Sequence, residues 1–315
     1  MKRILFDTDI GSDVDDAVAL GLILACRDAL DLVAVTTVAG DTQLRARIAG
    51  RLLAIGGHGE VPVFAGERRP RMRSQERVSW FGHEGEMLPE SPAEARIHGE
   101  PAPEAIVRLS KEVPDLEIVA VGPMTNLAAA LALDPELPRR VAGLTIMGGH
   151  IRRVAIGSHV CEPGIDYNLC CDPEASCAVL GAGFRTTLVT ADVTLSTWIR
   201  EADLVRLDAC GPLGRLLARQ IRVWAPVQWK LFTGIGGDLA SDNVAFLHDP
   251  LTVQALVDPS PLHFEELRIV TTIERGTLRT HEVDPQLGIG ATMKVATRVD
   301  ASVAERSIVD RLATL

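Results

Sequence analysis

Short apolar runs alternate with segments of helical period along most of the chain, and this alternation constrains the fold more than any other feature. The runs are rich in β-branched and aliphatic residues and cover 4–6, 32–38, 61–64, 116–121, 144–147 and 187–190. The helical segments between them cover 16–29, 43–55, 103–113, 126–132 and 173–180. Such alternation is typical of repeated βα units on a parallel sheet. We therefore predict an α/β protein with a single open, mostly parallel, twisted sheet flanked by helices.

Length and charge limit the domain organisation and the class of partner. A chain of 315 residues can form one large α/β domain or two smaller ones. No repeat, low-complexity tract or linker divides it, so we expect residues 1–315 to form one domain. The formal net charge of −10 argues against sequence-independent binding to nucleic acid or to anionic membranes, because both need a surplus of Lys and Arg.

The amino terminus and the cysteines bear on the cellular compartment. The first apolar run covers only residues 4–6, which is too short for a signal-peptide core, and no later segment approaches a membrane span. The six cysteines contain no C-x-x-C pair, so reduced thiols are expected. We therefore expect a cytoplasmic protein.

Five aspartates follow the first predicted strand within ten residues, at positions 7, 9, 13, 15 and 16. Like charges at this spacing repel one another and raise one another's pKa, whereas a hard divalent cation stabilises the ionised forms. Helix capping by Ser12 or Asp13 accounts for part of the pattern, since acidic residues favour a helix amino terminus. Capping does not explain Asp7 and Asp9 at the end of an apolar strand.

Polar groups also follow the later predicted strands. Because ligands collect beyond the carboxyl ends of the strands in an open parallel sheet, these groups are expected to converge. The groups are Asp41, Gly122-Pro123, Gly148-Gly149, Asp166, Asn168 and His248-Asp249. Three carboxylates, a strand-end carbonyl and water satisfy Ca²⁺, whereas the spacing gives no support to Cys/His zinc ligation. The sequence thus predicts one oxygen-rich calcium pocket.

Several segments in order resemble the inosine-uridine preferring nucleoside hydrolases. The aspartate segment DTDIGSDVDDAVAL at 7–20 is similar to the amino-terminal signature of that family, with a slightly longer loop. The matching segments that follow are VAG at 38–40, VGPMTNLA at 121–128, IMGG at 146–149, DYNLCCDPEAS at 166–176 and LHDPL at 247–251. The resemblance covers most of the chain.

This resemblance implies a Rossmann-like nucleoside hydrolase fold and calcium-dependent hydrolysis of the N-glycosidic bond of ribonucleosides, in nucleoside salvage. It further implies a homodimer or homotetramer. By motif, Asp9 resembles the metal ligand that also takes the proton of the attacking water. Asp16, Asp249 and the carbonyl of Val121 resemble the remaining protein ligands. His248 matches a residue that some members use to protonate the leaving base.

The resemblance also implies a set of substrate-binding residues, namely Asp15, Asp41, His83, Met147, Asp166 and Asn168. The chain departs from the family at three positions. Asp41 replaces the usual Asn, Asp166 replaces the usual Glu, and Val160 stands where an Asn is expected six residues before that acid. The neighbouring Ser158, His159 or Glu162 are candidates to replace the missing contact. The contacts to the 5′ side of the sugar are thus expected to differ from those of the family. Common nucleosides are therefore expected to be poor substrates.

Several assignments stay open at the level of sequence. His248 either donates a proton to the base or only positions the Asp249 loop. Trp224 and Trp229 either stack on a nucleobase or pack in the core. Asp192 is expected to orient a loop.

Two other functions are compatible with parts of the pattern. A catalytically silent nucleoside or sugar sensor would fit the changes at 41, 160 and 166. A magnesium-dependent phosphatase would use Asp7 as a nucleophile in its D-x-D motif, but it also needs phosphate-binding Ser, Thr and Lys after later strands, which are not found there.

Overall fold

The computed structural model describes residues 1–70, 97–164 and 166–315. In those ranges the strands are β1 (Lys2–Thr8), β2 (Leu30–Thr37), β3 (Val63–Ala65), β4 (Ile97–His98), β5 (Leu116–Ala120), β6 (Gly143–Met147), β7 (Val154–Ile156), β8 (His159–Cys161), β9 (Thr186–Val189), β10 (Trp198–Arg200), β11 (Asn243–Phe246), β12 (Leu262–Glu274), β13 (Thr277–Glu282) and β14 (Ala291–Val299). The helices are α1 (Asp15–Ala25), α2 (Thr42–Ile55), α3 (Ala102–Glu112), α4 (Thr125–Leu133), α5 (Leu137–Arg140), α6 (Tyr167–Cys171), α7 (Pro173–Gly181), α8 (Ala191–Thr194), α9 (Glu201–Asp208), α10 (Pro212–Gly234), α11 (His248–Val257) and α12 (Ala301–Leu312).

Ten of these strands form one sheet, in the order β13-β12-β14-β9-β6-β5-β1-β2-β3-β4. Neighbours from β14 to β4 are parallel, whereas β12 is antiparallel to β13 and β14. The chain runs outward from β1 through β2, β3 and β4, and then returns to the other side of β1 as β5. The strand order therefore reverses between β1 and β5, and the crevice at their carboxyl ends is the expected ligand site of such a sheet.

Helices cover both faces of the sheet and bury two apolar layers. Along β1, Ile4 and Phe6 join the layer that contains Leu20 of α1, whereas Leu5 joins the layer that contains Ile106 of α3. This division follows from the pleat, because successive strand residues face opposite sides. The predicted mostly parallel α/β fold is confirmed, with all six predicted strands and all five predicted helices present.

The carboxyl-terminal strands were not predicted. β12 and β13 form an antiparallel pair at one end of the sheet, and β14 joins them to β9. Burial along β12 is interrupted by exposed and half-buried residues, so it lacks the continuous apolar run of a strand that is buried on both faces. A further hairpin, β7–β8, lies within the predicted 149–166 loop.

Among the helices of the described ranges, none combines the length and the apolar character needed to cross a membrane.

Candidate active site

The loop between β1 and α1 places the aspartate cluster at the crevice. Gly11 has a φ of 118°, a left-handed conformation that side chains rarely adopt, and there the chain turns back toward the helix. The Asp13 carboxylate accepts hydrogen bonds from the backbone amides of Val14, at 2.6 Å, and Asp15, at 3.3 Å. These bonds hold the turn that leads into α1, but the N-cap of the helix is Val14 and it makes no side-chain capping bond, so the predicted capping by Ser12 or Asp13 is wrong.

Asp7 lies in the interior of the protein. Its side chain is fully buried, and its Oδ1 accepts hydrogen bonds from the Thr36 hydroxyl at 2.5 Å and the Asn126 amide at 2.7 Å. Burial raises the pKa of Asp7 to about 7. A fully buried carboxylate with two internal donors cannot reach a phosphate ester, so the structure does not support the phosphatase hypothesis.

Three carboxylates converge beside the loop. Asp15 and Asp16 begin α1, and Asp249 lies in the first turn of α11, which packs against α1. One carboxylate oxygen from each of the three falls within 4.8 Å of the others, and all three residues are buried. Burial raises the pKa of each carboxyl group well above its ordinary value, and repulsion between the carboxylates raises it further. Such a group favours a bound cation, because positive charge offsets both effects.

Asp9 lies next to these three carboxylates. The charge of Asp9 raises the pKa of Asp15, Asp16 and Asp249. Burial raises the pKa of Asp9 itself, and the guanidinium of Arg45 lowers it in part. The turn after β5 approaches Asp9 closely. A Cβ atom at Gly122 would lie 2.9 Å from both the amide nitrogen and the Oδ1 of Asp9, so only glycine fits there. The carboxylate oxygens of Asp9, Asp15, Asp16 and Asp249 are hard ligands, which suits a hard cation.

The predicted carbonyl ligand and two predicted sugar contacts are brought together at the ends of β5 and β6. The Asn168 side-chain amide donates to the carbonyl oxygen of Val121 at 2.6 Å and to that of Met147 at 3.2 Å. The amide nitrogen also lies 3.3 Å from the Met147 sulfur. The three residues therefore form one contact group.

Asp166 and Asp41 each cap a helix. Asp166 accepts the Leu169 amide at 2.9 Å at the start of α6, and Asp41 accepts the Leu44 amide at 3.1 Å at the start of α2. Burial raises the pKa of Asp166 to about 6, although backbone hydrogen bonds, including one from Gly149, lower it in part. Each carboxylate thus has a structural partner in addition to its predicted role toward the sugar.

His248 begins α11, immediately before Asp249. Its Nδ1 lies 2.6 Å from the hydroxyl of Thr194, and its ring lies 5.3 Å from the ring of Phe246. Burial lowers the pKa of the imidazole to about 4.

The 149–166 loop carries the β7–β8 hairpin. Val160 is 54% exposed on that hairpin, and Glu162 pairs with Arg153 at 2.8 Å. His159 faces the loop after α10, where a Cβ atom at Gly236 would lie 3.7 Å from its ring.

The remaining predicted residues have separate positions. Trp224 is 2% exposed and belongs to the core, whereas Trp229 is 37% exposed. Asp192 accepts the amide of Ile151 at 3.0 Å and so holds the start of the 149–166 loop, as expected. His83 lies outside the described residues.

The sequence did not predict three residues that support the site. Arg45 contacts the backbone of Asp9, Asn126 contacts the carboxylate of Asp7, and Thr194 contacts the ring of His248. Arg45 had a signal in the sequence. It stands in register with Ile48, Ala49 and Leu52 of α2, a spacing that places all four on one helix face.

Comparison with known proteins agrees with this architecture. Residues 4–306 match the model of the inosine-uridine preferring nucleoside hydrolase family. A probable uridine nucleosidase 2 of Arabidopsis thaliana is 30% identical over 99% of this chain and 97% of its own length. The pyrimidine-specific ribonucleoside hydrolase RihA of Salmonella newport is 33% identical over 86% of this chain and 82% of its own length.

Solved structures show the same fold. A plant nucleoside hydrolase superposes with a TM-score of 0.84 at 27% identity, covering 100% of this chain and 99% of its own. A purine-preferring ribonucleoside hydrolase from Gardnerella vaginalis superposes with a TM-score of 0.83 at 25% identity, covering 99% and 98%. Fold and sequence together define a hydrolase of N-glycosyl compounds. The chain belongs to the inosine-uridine preferring nucleoside hydrolase family.

Proposed function

We propose that this protein hydrolyses the N-glycosidic bond of ribonucleosides with Ca²⁺ as its cofactor and releases ribose and free nucleobase for salvage. The observation that carries the proposal is the buried group of Asp15, Asp16 and Asp249, whose oxygens lie within 4.8 Å of one another. Ca²⁺ suits such a group because it takes six to eight hard oxygen ligands. The proposed protein ligands are two carboxylates of this group, those of Asp16 and Asp249, together with the carboxylate of Asp9, which is not in the group of three, and the carbonyl of Val121. The third carboxylate of the group, that of Asp15, is proposed to bind the sugar.

The residues around this site are proposed to have separate roles in the reaction. When bound, the cation would supply positive charge that makes a water molecule more acidic and attracts the ribose hydroxyls. Asp9 then accepts the proton of the attacking water as a general base. Asp15 accepts a hydrogen bond from a ribose hydroxyl. Carboxylates beside the anomeric carbon stabilise the oxocarbenium character that develops as the base departs, as in glycoside hydrolysis.

On the other side of the N-glycosidic bond, the leaving base needs a proton or a hydrogen-bond donor. His248 is proposed for this role. Because burial lowers its pKa to about 4, the imidazole is neutral near pH 7 and would donate through a neutral Nε2–H, while the Thr194 hydroxyl at Nδ1 holds the ring in place. Positioning of the Asp249 loop is the alternative role for His248, and a comparison of substrates with good and poor leaving groups separates the two roles.

The sugar is proposed to contact Asn168, Met147, Asp41 and Asp166, with His83 near the base. The shorter Asp166 and the Val160 hairpin change the 5′ side of this pocket, so unmodified nucleosides are proposed to be poor substrates. High efficiency on both inosine and uridine would contradict that proposal.

The decisive experiment measures free ribose released from a panel of purine and pyrimidine ribonucleosides. The protein is first stripped with a chelator and then loaded with Ca²⁺, Mg²⁺ or Zn²⁺ in parallel. We expect release to vanish after stripping and to return with Ca²⁺. Asp249→Asn should abolish the recovery, whereas Asp258→Asn, at the other end of the same helix, should not. Nucleoside binding without release would favour a silent sensor, and full activity after stripping would exclude a metal role.

The proposal extends to the assembly of the chain. Strands from both ends of the sequence, β1 and β14, share one sheet, which supports one domain over residues 1–315. A homodimer or homotetramer is proposed, and light scattering coupled to size-exclusion chromatography tests it.

A further inference from the structure

Arg45 is a fully buried cation beside the proposed site. It lies on the inward face of α2, with Ile48, Ala49 and Leu52 as fully buried neighbours on the same face. A guanidinium removed from water is costly unless hydrogen bonds replace its lost hydration. The partners of Arg45 therefore indicate what this side chain does.

Those partners belong to two different loops. Nε donates to the carbonyl of Ala39 at 2.7 Å, at the end of β2. Nη1 donates to the carbonyls of Asp9 and of Ile10, the latter at 2.9 Å, and Nη2 donates to the hydroxyl of Ser12 at 3.2 Å. One rigid fork thus ties the loop after β1 to the loop after β2.

Both loops have backbone conformations that need support. Ala39 has a φ of 65°, which is uncommon for a residue with a side chain, and Gly11 has a φ of 118°. Asp9 and Ile10 belong to no strand or helix, so their carbonyls accept no hydrogen bond within a strand pair or a helix. Arg45 provides the hydrogen-bond donor for both carbonyls. The position of the Asp9 backbone in turn sets the position of its carboxylate.

The charge of Arg45 has a separate effect. The guanidinium attracts the carboxylates of Asp9 and Asp16, but it repels a cation that binds to them. Loss of the charge alone would strengthen cation binding, whereas loss of the fork would weaken it by disordering the ligands. The two effects have opposite signs and can be separated by substitution.

We propose that Arg45 is a positioning residue: by binding the backbone carbonyls of Asp9 and Ile10 and the hydroxyl of Ser12, it holds this loop so that Asp9 has its ligand geometry before any cation binds. The fork, and not the charge, makes this contribution. The inference rests on the proposed function for the role of Asp9, but the loop geometry can be measured without it.

The test compares Arg45→Lys, Arg45→Met and Arg47→Met. Lysine keeps the charge but lacks the planar fork that serves several acceptors at fixed geometry. Arg47 is exposed on the same helix and serves as the matched control. Amide hydrogen exchange is measured on the metal-free protein at Ile10, whose amide donates to Thr8 at 3.1 Å, with the amides of β5 as an internal reference. Calcium affinity is measured by titration calorimetry.

We expect exchange at Ile10 to be about tenfold faster in Arg45→Lys with β5 unchanged, because the loop opens locally. Calcium affinity should fall about 10–100-fold, as when a partner that orients a ligand is lost. Arg45→Met should change in the same direction, and Arg47→Met should match wild type. If Arg45→Met does not fold, Arg45→Lys decides.

Wild-type exchange at Ile10 in Arg45→Lys, or calcium affinity that is unchanged or higher, would overturn the proposal. If wild-type protein binds no Ca²⁺, the proposed cofactor fails, and the exchange rate at Ile10 alone then decides the role of Arg45.

Discussion

The side-chain amide of Asn168 donates a 2.6 Å hydrogen bond to the carbonyl oxygen of Val121. That carbonyl is the proposed backbone ligand of the cation, and Asn168 is a proposed contact of the sugar. One hydrogen bond therefore connects the two halves of the site. Sugar binding and cation binding are expected to influence each other through it.

Asn168→Ala should raise KM about 10–100-fold, because it removes the proposed contact between this side chain and the sugar. Two hydrogen bonds to the sugar would together contribute about 1–3 kcal/mol to binding. It should also destabilise the metal-free protein by about 1–3 kcal/mol, because the carbonyls of Val121 and Met147 lose their donor. Steady-state kinetics and urea unfolding measure the two effects. An unchanged KM would show that Asn168 does not touch the sugar.

Asp9→Asn should lower kcat by about 10²–10⁴, because the amide keeps the shape of the side chain but cannot accept the proton of water. Asp115→Asn serves as a control. Asp115 directly precedes β5, at the end of the strand opposite to the crevice, and it is exposed with a φ of 56° that Asn tolerates. Calcium titration of both variants separates lost metal from lost base. Turnover of Asp9→Asn within about tenfold of wild type would assign the base elsewhere.

His248→Ala should distinguish donation from positioning through the leaving group. If His248 donates to the base, the loss should be about 10²-fold or more on nucleosides and small on a nitrophenyl riboside, whose leaving group needs no proton. Thr194→Val, which removes the hydroxyl 2.6 Å from Nδ1, should show a weaker form of the same pattern.

Equal losses on both substrates with weaker calcium binding would instead assign His248 to positioning. Equal losses with unchanged calcium affinity would contradict both roles, and the search for the donor would then turn to His83.

Asp166 should make stability depend on pH. Its pKa is raised from 3.8 to about 6 in the folded protein, so the fold binds its proton more tightly than the unfolded chain does. The resulting stabilisation is present below about pH 4 and is lost as pH rises through about 6, with a magnitude of about 3 kcal/mol at most.

Asp166→Asn removes this titration and can still cap α6. Urea unfolding at pH 4 and pH 7 should show that wild type loses more stability than the variant between these values. Identical losses in the two proteins would mean that Asp166 ionises freely in the fold.

The sequence alone predicted six of the eight strands in the parallel part of the sheet and the family, but not β4 and β14. Strands buried on both faces are continuous apolar runs, and these are local in the sequence, as residues 118–121 illustrate. The aspartates of the first loop are local as well, so their crowding could be seen without coordinates. Trp224 and Trp229 could not be told apart in this way, because burial depends on what packs against each face.

Only the tertiary structure decided which groups meet. Asp249 reaches Asp15 and Asp16 because the fold packs α11 against α1, although more than two hundred residues separate them in sequence. The fold also buries His248, which lowers its pKa, and the position of α2 makes Arg45 a link between two loops. These properties come from desolvation and distance, which are set by the whole fold and are not encoded in any one segment.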